Sequence, residues 1–220
     1  MNFKQIVEYL IANYNSVELP GLSAQLEMIP PHRIELLKNE IDYIDASVAI
    51  LLFKKSEDYY FPLIMRTSHN GADRHRGQIS LPGGKFEISD GTFEFCAQRE
   101  LKEELGLYEE DIFCVGHLTP LLIPISNFKV HPFIFVIENK FDYSPQSEEV
   151  EYVIEVKIDD LTETKNSKTG EIELYSLHKL NEIPYFDLNN NKIWGATAMI
   201  LNEFKNVLLN IKQNCSNNVN

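Results

Sequence analysis

The chain has 220 residues, 44% of them hydrophobic and 24% charged, a balance that supports a substantial core within the size of one domain. Its formal charge of −13 argues against a general nucleic-acid surface, because such surfaces present excess Lys and Arg to phosphates. The longest apolar run, residues 46–53, falls far short of the roughly 20 residues that cross a bilayer, and the start Met-Asn-Phe-Lys carries no signal-peptide apolar segment; a cytoplasmic protein with no membrane contact is expected.

In chain order, the first predicted element is a helix over residues 2–13, where Phe3, Ile6, Val7, Leu10 and Tyr14 recur at helical spacing, and Pro20-Gly21 closes that section. Strands are predicted at 46–54, 60–66, 112–118, 129–137, 150–157 and 171–177, where β-branched and aromatic residues gather between turn signals. Two helices stand out among them, at 92–105 and at 194–211, the second with Trp194, Ala198, Leu201, Phe204, Leu208 and Ile211 along one side. Lys165 to Gly170 reads as a polar hairpin turn, and Asn214 to Asn220 has no apolar pattern and is expected to fray. Cys96, Cys114 and Cys215 are odd in number and lack metal spacing, which makes them structural thiols. This order of elements fits an α/β protein, a mixed sheet covered by helices on both faces.

The helix at 92–105 carries the chemistry. Counting about 100° per residue from Phe93, the apolar stripe of Ala97, Leu101 and Leu105 reaches roughly 120°, while Glu104 falls near 20°, Glu100 near 340° and Glu103 near 280°. Glu104 therefore projects from within the core-facing stripe and Glu100 from its edge, with Glu103 beside them. A solvated acidic face is the ordinary reading of such a run. Here the angular placement, the preceding Pro82-Gly83-Gly84 turn and the closing Gly106 favour a site for a hard divalent cation, Mg2+ or Mn2+, since crowded half-buried carboxylates persist when a cation neutralises them.

These residues resemble the Nudix hydrolase box. Gly84 is followed by five residues, Asp90, a spacer of eight, and then Arg99-Glu100-Leu101-Lys102-Glu103-Glu104-Leu105-Gly106-Leu107. Asp90 replaces the usual Glu and the spacer is one residue longer than the family's, two departures that look like the coenzyme A pyrophosphatase branch. Residues 64–84, IMRTSHNGADRHRGQISLPGG, resemble that branch's additional signature through Arg66, His75, Gly77, Gln78, Pro82, Gly83 and Gly84. An insertion around Asn70 to Ala72 leaves the alignment of Arg74 open. The runs LPGLSAQLEMIPPHR and PYFDLNNNKIWGATAMIL are similar to members of the same branch, so the likeness covers roughly residues 19–205.

The resemblance implies a Nudix-type α/β/α sandwich, with residues 41–212 as the hydrolase domain, 1–40 as a helical extension packed on it and 213–220 as a disordered tail. It implies hydrolysis of the pyrophosphate of coenzyme A or an acyl-CoA to 3′,5′-ADP and a 4′-phosphopantetheine product. Glu100, Glu103 and Glu104, with a carbonyl of Gly83 or Gly84, are expected to hold Mg2+ or Mn2+, and Arg99 to orient the acids. The general base is Glu100 or an acid from outside the box, for which Glu148, Glu149 and Glu151 are candidates, although Tyr152 stands where related sequences often have an acid. Arg66, Arg74, His75, Arg76 and Gln78 are expected to bind the anionic substrate; a solvated basic loop fits residues 66–76 equally well when they are taken alone. Segment 120–136 is a candidate wall for the pantetheine arm, and an ordinary core hairpin has equal weight. The partner is a small molecule, neither nucleic acid nor membrane, and a homodimer is left open. The competing readings are a Nudix hydrolase of another dinucleotide such as ADP-ribose or NADH, a nucleotide-binding sensor with the same fold, which usually lacks a box acid, and an acidic protein-interaction module.

Overall fold

The computed structural model describes residues 1–38, 42–67, 77–107, 112–139, 141–146, 148–174 and 179–217. In chain order the elements are α1 (Phe3–Asn13), α2 (Leu22–Leu26), β1 (Ile44–Lys55), β2 (Asp58–Arg66), β3 (Ile79–Ser80), β4 (Gly83–Lys85), α3 (Phe93–Leu105), β5 (Ile112–His117), β6 (Leu121–Ile123), β7 (Phe128–Ile137), β8 (Val150–Lys157), α4 (Ile158–Thr162), β9 (Ser167–Glu173), β10 (Lys179–Leu188), β11 (Asn191–Trp194) and α5 (Gly195–Asn217).

Strand β1 divides the molecule into two layers, because its side chains alternate between two cores. Ala46, Ile50 and Leu52 join Ile6, Val7 and Leu10 of α1 and Leu201, Phe204 and Leu208 of α5. Ala49, Leu51 and Phe53 join Ala97, Leu101 and Leu105 of α3. A strand apolar on both sides suits the centre of a sheet covered by helices above and below, which is the α/β/α arrangement expected from the sequence. The sheet is mixed: β1 runs parallel to β7 and antiparallel to β2 and β4, while β5 and β6 pair antiparallel with β7 and β8 with β2. Among the described residues no helix is long and apolar enough to cross a membrane.

Four features correct the expectations. Short helices α2 and α4 each have five residues, too few for periodicity to register. Strands β9, β10 and β11 form a second antiparallel sheet, of which only part of β9 is anticipated by the strand expected at 171–177. The hairpin turn expected at Lys165 to Gly170 is instead a 3-10 turn at Thr164–Asn166 leading into β9, which begins at Ser167; its polar residues lie on a small sheet with a wet face. Helix α5 continues to Asn217 rather than ending at 211, so the disordered tail expected from 213 is helical as far as it is described. Ile211 and Cys215, four residues apart, prolong the stripe that packs on the core.

Candidate functional site

Helix α3 begins where Thr92 Oγ1 accepts the Phe95 N–H at 3.2 Å and ends at Gly106, whose φ of 73° is left-handed. A side chain at Gly106 would also meet Ser144, 2.6 Å from its carbonyl oxygen. Between these caps the angular prediction holds. Glu104 is 1% exposed and Glu100 7% exposed, whereas the Glu103 side chain keeps 42% of its surface.

Each acid has an identified partner. Glu104 Oε2 accepts the Gly83 N–H at 2.8 Å and Oε1 accepts Arg66 Nη1 at 3.1 Å. Arg99 Nη1 donates to Glu100 Oε1 at 2.7 Å and to Glu103 Oε2 at 2.9 Å. The other edge of that guanidinium grips Asp90, with Nε to Oδ1 at 2.7 Å and Nη2 to Oδ2 at 3.2 Å, while Nη2 also donates to the Lys85 carbonyl at 3.0 Å. Burial drives the Glu104 carboxyl up to about 8, outweighing the opposing pull of Arg66 and the Gly83 N–H, with Glu100 and Glu149 pushing the same way as burial. Glu100 is raised for the same leading reason. Asp90 is held below its ordinary value, chiefly by the Arg99 hydrogen bonds.

Asp90 is therefore the anchor that aims Arg99 at two site acids, a role that the sequence pattern marked by position without explaining. Asp90→Asn is expected to lower stability by about 2 kcal/mol, the scale of hydrogen bonds to charged groups, or roughly 4–8 °C in a chain of this size. Because its folded value is depressed, Asp90 contributes fully above its ordinary value of 3.8 and loses that contribution as pH falls through the depressed one. Thermal melts at neutral pH and in acid check this: the variant's deficit must shrink in acid.

The three carboxylates do not converge on a point; among the described residues no group of three potential ligands stands ready for a metal. Two arginines lie against them instead, Arg99 on Glu100 and Glu103, and Arg66 on Glu104. Gly83 meets Glu104 through its N–H, a different atom from the carbonyl expected to serve as a ligand. The donor chemistry nevertheless fits a hard divalent cation. Two carboxylates are desolvated strongly enough to resist ionisation, and the missing Cβ of Gly84 leaves the space that the Glu100 carboxylate fills, since an added Cβ would stand 2.6 Å from its Cδ. Glu100, Glu103 and Glu104 would hold such an ion.

The diglycine strand β4 also bounds a pocket on the sheet's other face. Gly83 and Gly84 pair with Val48 and Ser47 of β1, and beyond them lies a cavity of about 310 Å3. Arg66 and Gln78 line it, and Arg66 thus touches both the buried acid and the cavity. Ile123, Ser126, Phe128 and Val130 supply a wall from the β6–β7 hairpin, a segment that reads from the sequence with equal weight as a wall or as an ordinary core hairpin. Ala196, Thr197 and Ile200 of α5 form another, missed because their helix reads as a core element. Arg74, His75 and Arg76 lie outside the described residues. Among the candidate bases, Glu149 bears electrostatically on both Glu100 and Glu104, and its carbonyl accepts the Thr67 N–H just beyond Arg66. Glu148 uses its carbonyl to accept the Thr67 hydroxyl. Glu151 and Tyr152 are exposed on β8.

Residues 44–198 match the NUDIX domain. The chain is 33% identical to Nudix hydrolase 15, mitochondrial, of Arabidopsis thaliana over 71% of its own length and 55% of the relative's. It is 22% identical to the uncharacterized Nudix hydrolase NudL of Escherichia coli O7:K1 over 86% of its length and 94% of the relative's. Against the plant proteins it matches, the chain spans about half the relatives' length. Among solved structures, a Nudix hydrolase from M. smegmatis, RenU, shares the fold with a TM-score of 0.50 and 15% identity, covering 79% of this chain and 90% of that one.

Proposed function

The chain belongs to the Nudix family, and from that premise we propose that it hydrolyses the diphosphate bond of coenzyme A or an acyl-CoA, with Mg2+ or Mn2+, in the cytoplasm. The observation that carries this reading is the arrangement about Gly83-Gly84: buried carboxylates on one side and, on the other, a pocket with a largely apolar wall. A diphosphate at the glycines could meet the acids' bound cation while an uncharged arm extends along Phe128, Val130 and Ile200. The products would be 3′,5′-ADP and 4′-phosphopantetheine or its acyl derivative.

In this mechanism Glu100, Glu103 and Glu104 would hold the metal, which when bound would neutralise diphosphate charge and acidify water. Arg99 keeps two of those acids in place through Asp90. Glu149, whose charge acts on both buried acids, is proposed as the base from outside the helix, with Glu100 as the alternative. The base takes a proton from water as its oxygen bonds to one phosphorus, and the bridging oxygen leaves with the other phosphoryl group. Arg66 and Gln78, with Arg74, His75 and Arg76, are proposed to bind the substrate's phosphates.

The test is kcat/KM for coenzyme A beside 3′-dephospho-coenzyme A, ADP-ribose and NADH. Coenzyme A should lead, and its margin over the dephospho compound should be about one to two decades, the scale of a charge-assisted contact. Replacing the arginine responsible should erase that margin. Faster hydrolysis of ADP-ribose or NADH would move the substrate assignment to those dinucleotides.

A further inference from the structure

Three arginines fall among the described residues, and two of them meet acids: Arg66 meets Glu104, and Arg99 meets Asp90, Glu100 and Glu103. Arg33 does not. Among the described residues its Nε is buried and has no hydrogen-bond partner, its guanidinium lies 5.5 Å over the ring of Trp194, and burial lowers its pKa with no acid acting against it. In a chain with 33 acids and 20 lysines and arginines, a half-buried guanidinium without a carboxylate is not explained by shortage of partners. Desolvating it costs free energy that the ring contact returns only in part.

The position of Arg33 relates it to the substrate pocket. It borders a cleft of about 20 Å3 whose walls include Ile123 and Ala196, and the same two residues line the larger cavity beside Gly83 and Gly84. The cleft has room for roughly one water-sized group, which suits a single oxygen at the tip of a chain reaching in from the larger cavity and excludes a nucleobase. Its remaining walls are apolar, Ile29, Leu122, Pro124 and Met199 among them. The larger cavity has its own cations, Arg66 and Lys85, on the segments that carry or flank the glycines.

We propose that Arg33 is a specificity-determining residue that reads an anionic group at the end of the substrate arm remote from the diphosphate, so that acyl groups ending in a carboxylate are favoured over neutral ones. The inference rests on the coenzyme A reading above for the identity of the arm. A guanidinium N–H can donate a charge-assisted hydrogen bond to such a carboxylate oxygen.

The experiment is calorimetric binding of succinyl-CoA and acetyl-CoA, two thioesters that differ by the terminal carboxylate arm, to the full chain in excess chelator. Wild type should bind the succinyl compound at least about tenfold more tightly, as one charge-assisted contact allows. Arg33→Met, which keeps the packing on Trp194 and removes the charge, should bring the ratio to about one, and Arg33→Lys should leave an intermediate ratio. Should Arg33→Met not fold, Arg33→Lys and the decline of the wild-type ratio with ionic strength carry the test. Equal affinities in wild type, or a ratio unmoved by both substitutions, overturn the proposal. Turnover of the same thioesters with Mg2+ separates the two readings: charge-selective binding without turnover fells the enzymatic one alone, turnover without charge preference fells this one alone, and no binding of either thioester fells both.

Discussion

Glu104→Gln should reduce turnover by about a thousandfold or more while leaving the fold intact, since a metal's charge stabilisation amounts to several kcal/mol. The separation of the two effects follows from burial. Glu104 is 1% exposed and its carboxyl is raised to about 8, so without metal its neutral form prevails at neutral pH and a neutral glutamine is a close substitute. Its side-chain oxygen can still accept the Gly83 N–H. The pH dependence has a definite sign. A carboxyl raised from 4.5 to about 8 in the folded state holds a proton there that the unfolded chain has released. Stability from this group therefore declines as pH rises from about 4.5 to 8. In excess chelator, wild type should lose stability relative to Glu104→Gln across that window, and only wild type should gain melting temperature from Mg2+ or Mn2+. Near-normal turnover in the folded variant would show that the site lies elsewhere.

The two glycines of β4 should fail differently when each is replaced by alanine. At Gly83, where φ is 155°, an added Cβ would strike the Ser47 carbonyl and stand 2.7 Å from the Val48 Cα, both in the backbone of the central strand. Relief requires β4 to move from β1, so Gly83→Ala should lower the melting temperature by roughly 6–12 °C, on the order of 3 kcal/mol. At Gly84 the obstacle is the end of the flexible Glu100 side chain, with Cδ at 2.6 Å. Gly84→Ala should melt within a few degrees of wild type, yet turnover should drop by about a hundredfold or more because a displaced ligand of this kind costs catalysis heavily. Melting curves and kcat for the two variants decide it; equal losses of stability would contradict the geometry.

What could be read from the sequence follows the range of the interactions involved. Helical periodicity placed Glu104 inside the apolar stripe of α3 and Glu100 at its edge, and both are buried. The central strand was legible because its apolar run is long enough to be covered on both faces. The grip of Arg99 on Asp90 was not, since its nine-residue separation is bridged by the turn between β4 and α3 rather than by a helical repeat. The diversion of Glu104 to Arg66 depends on a contact 38 residues apart. Pocket residues Ala196 and Thr197 read as parts of an amphipathic helix, because periodicity tells which side is apolar and not that a cavity lies against it. Strands β10 and β11 escaped for a related reason: Asn189 and Asn190 adopt positive φ in the tight turn joining them, and their polar residues mask the alternation on either side.

The central claim is cation-dependent scission of a diphosphate by the acids of α3. The most direct measurement incubates the purified chain with coenzyme A and Mg2+, and in parallel with excess chelator, and separates the products. The account predicts 3′,5′-ADP and 4′-phosphopantetheine in equal amounts with Mg2+ and neither in chelator. Equal product in both incubations, or intact coenzyme A in the presence of Mg2+ and of Mn2+, would contradict it.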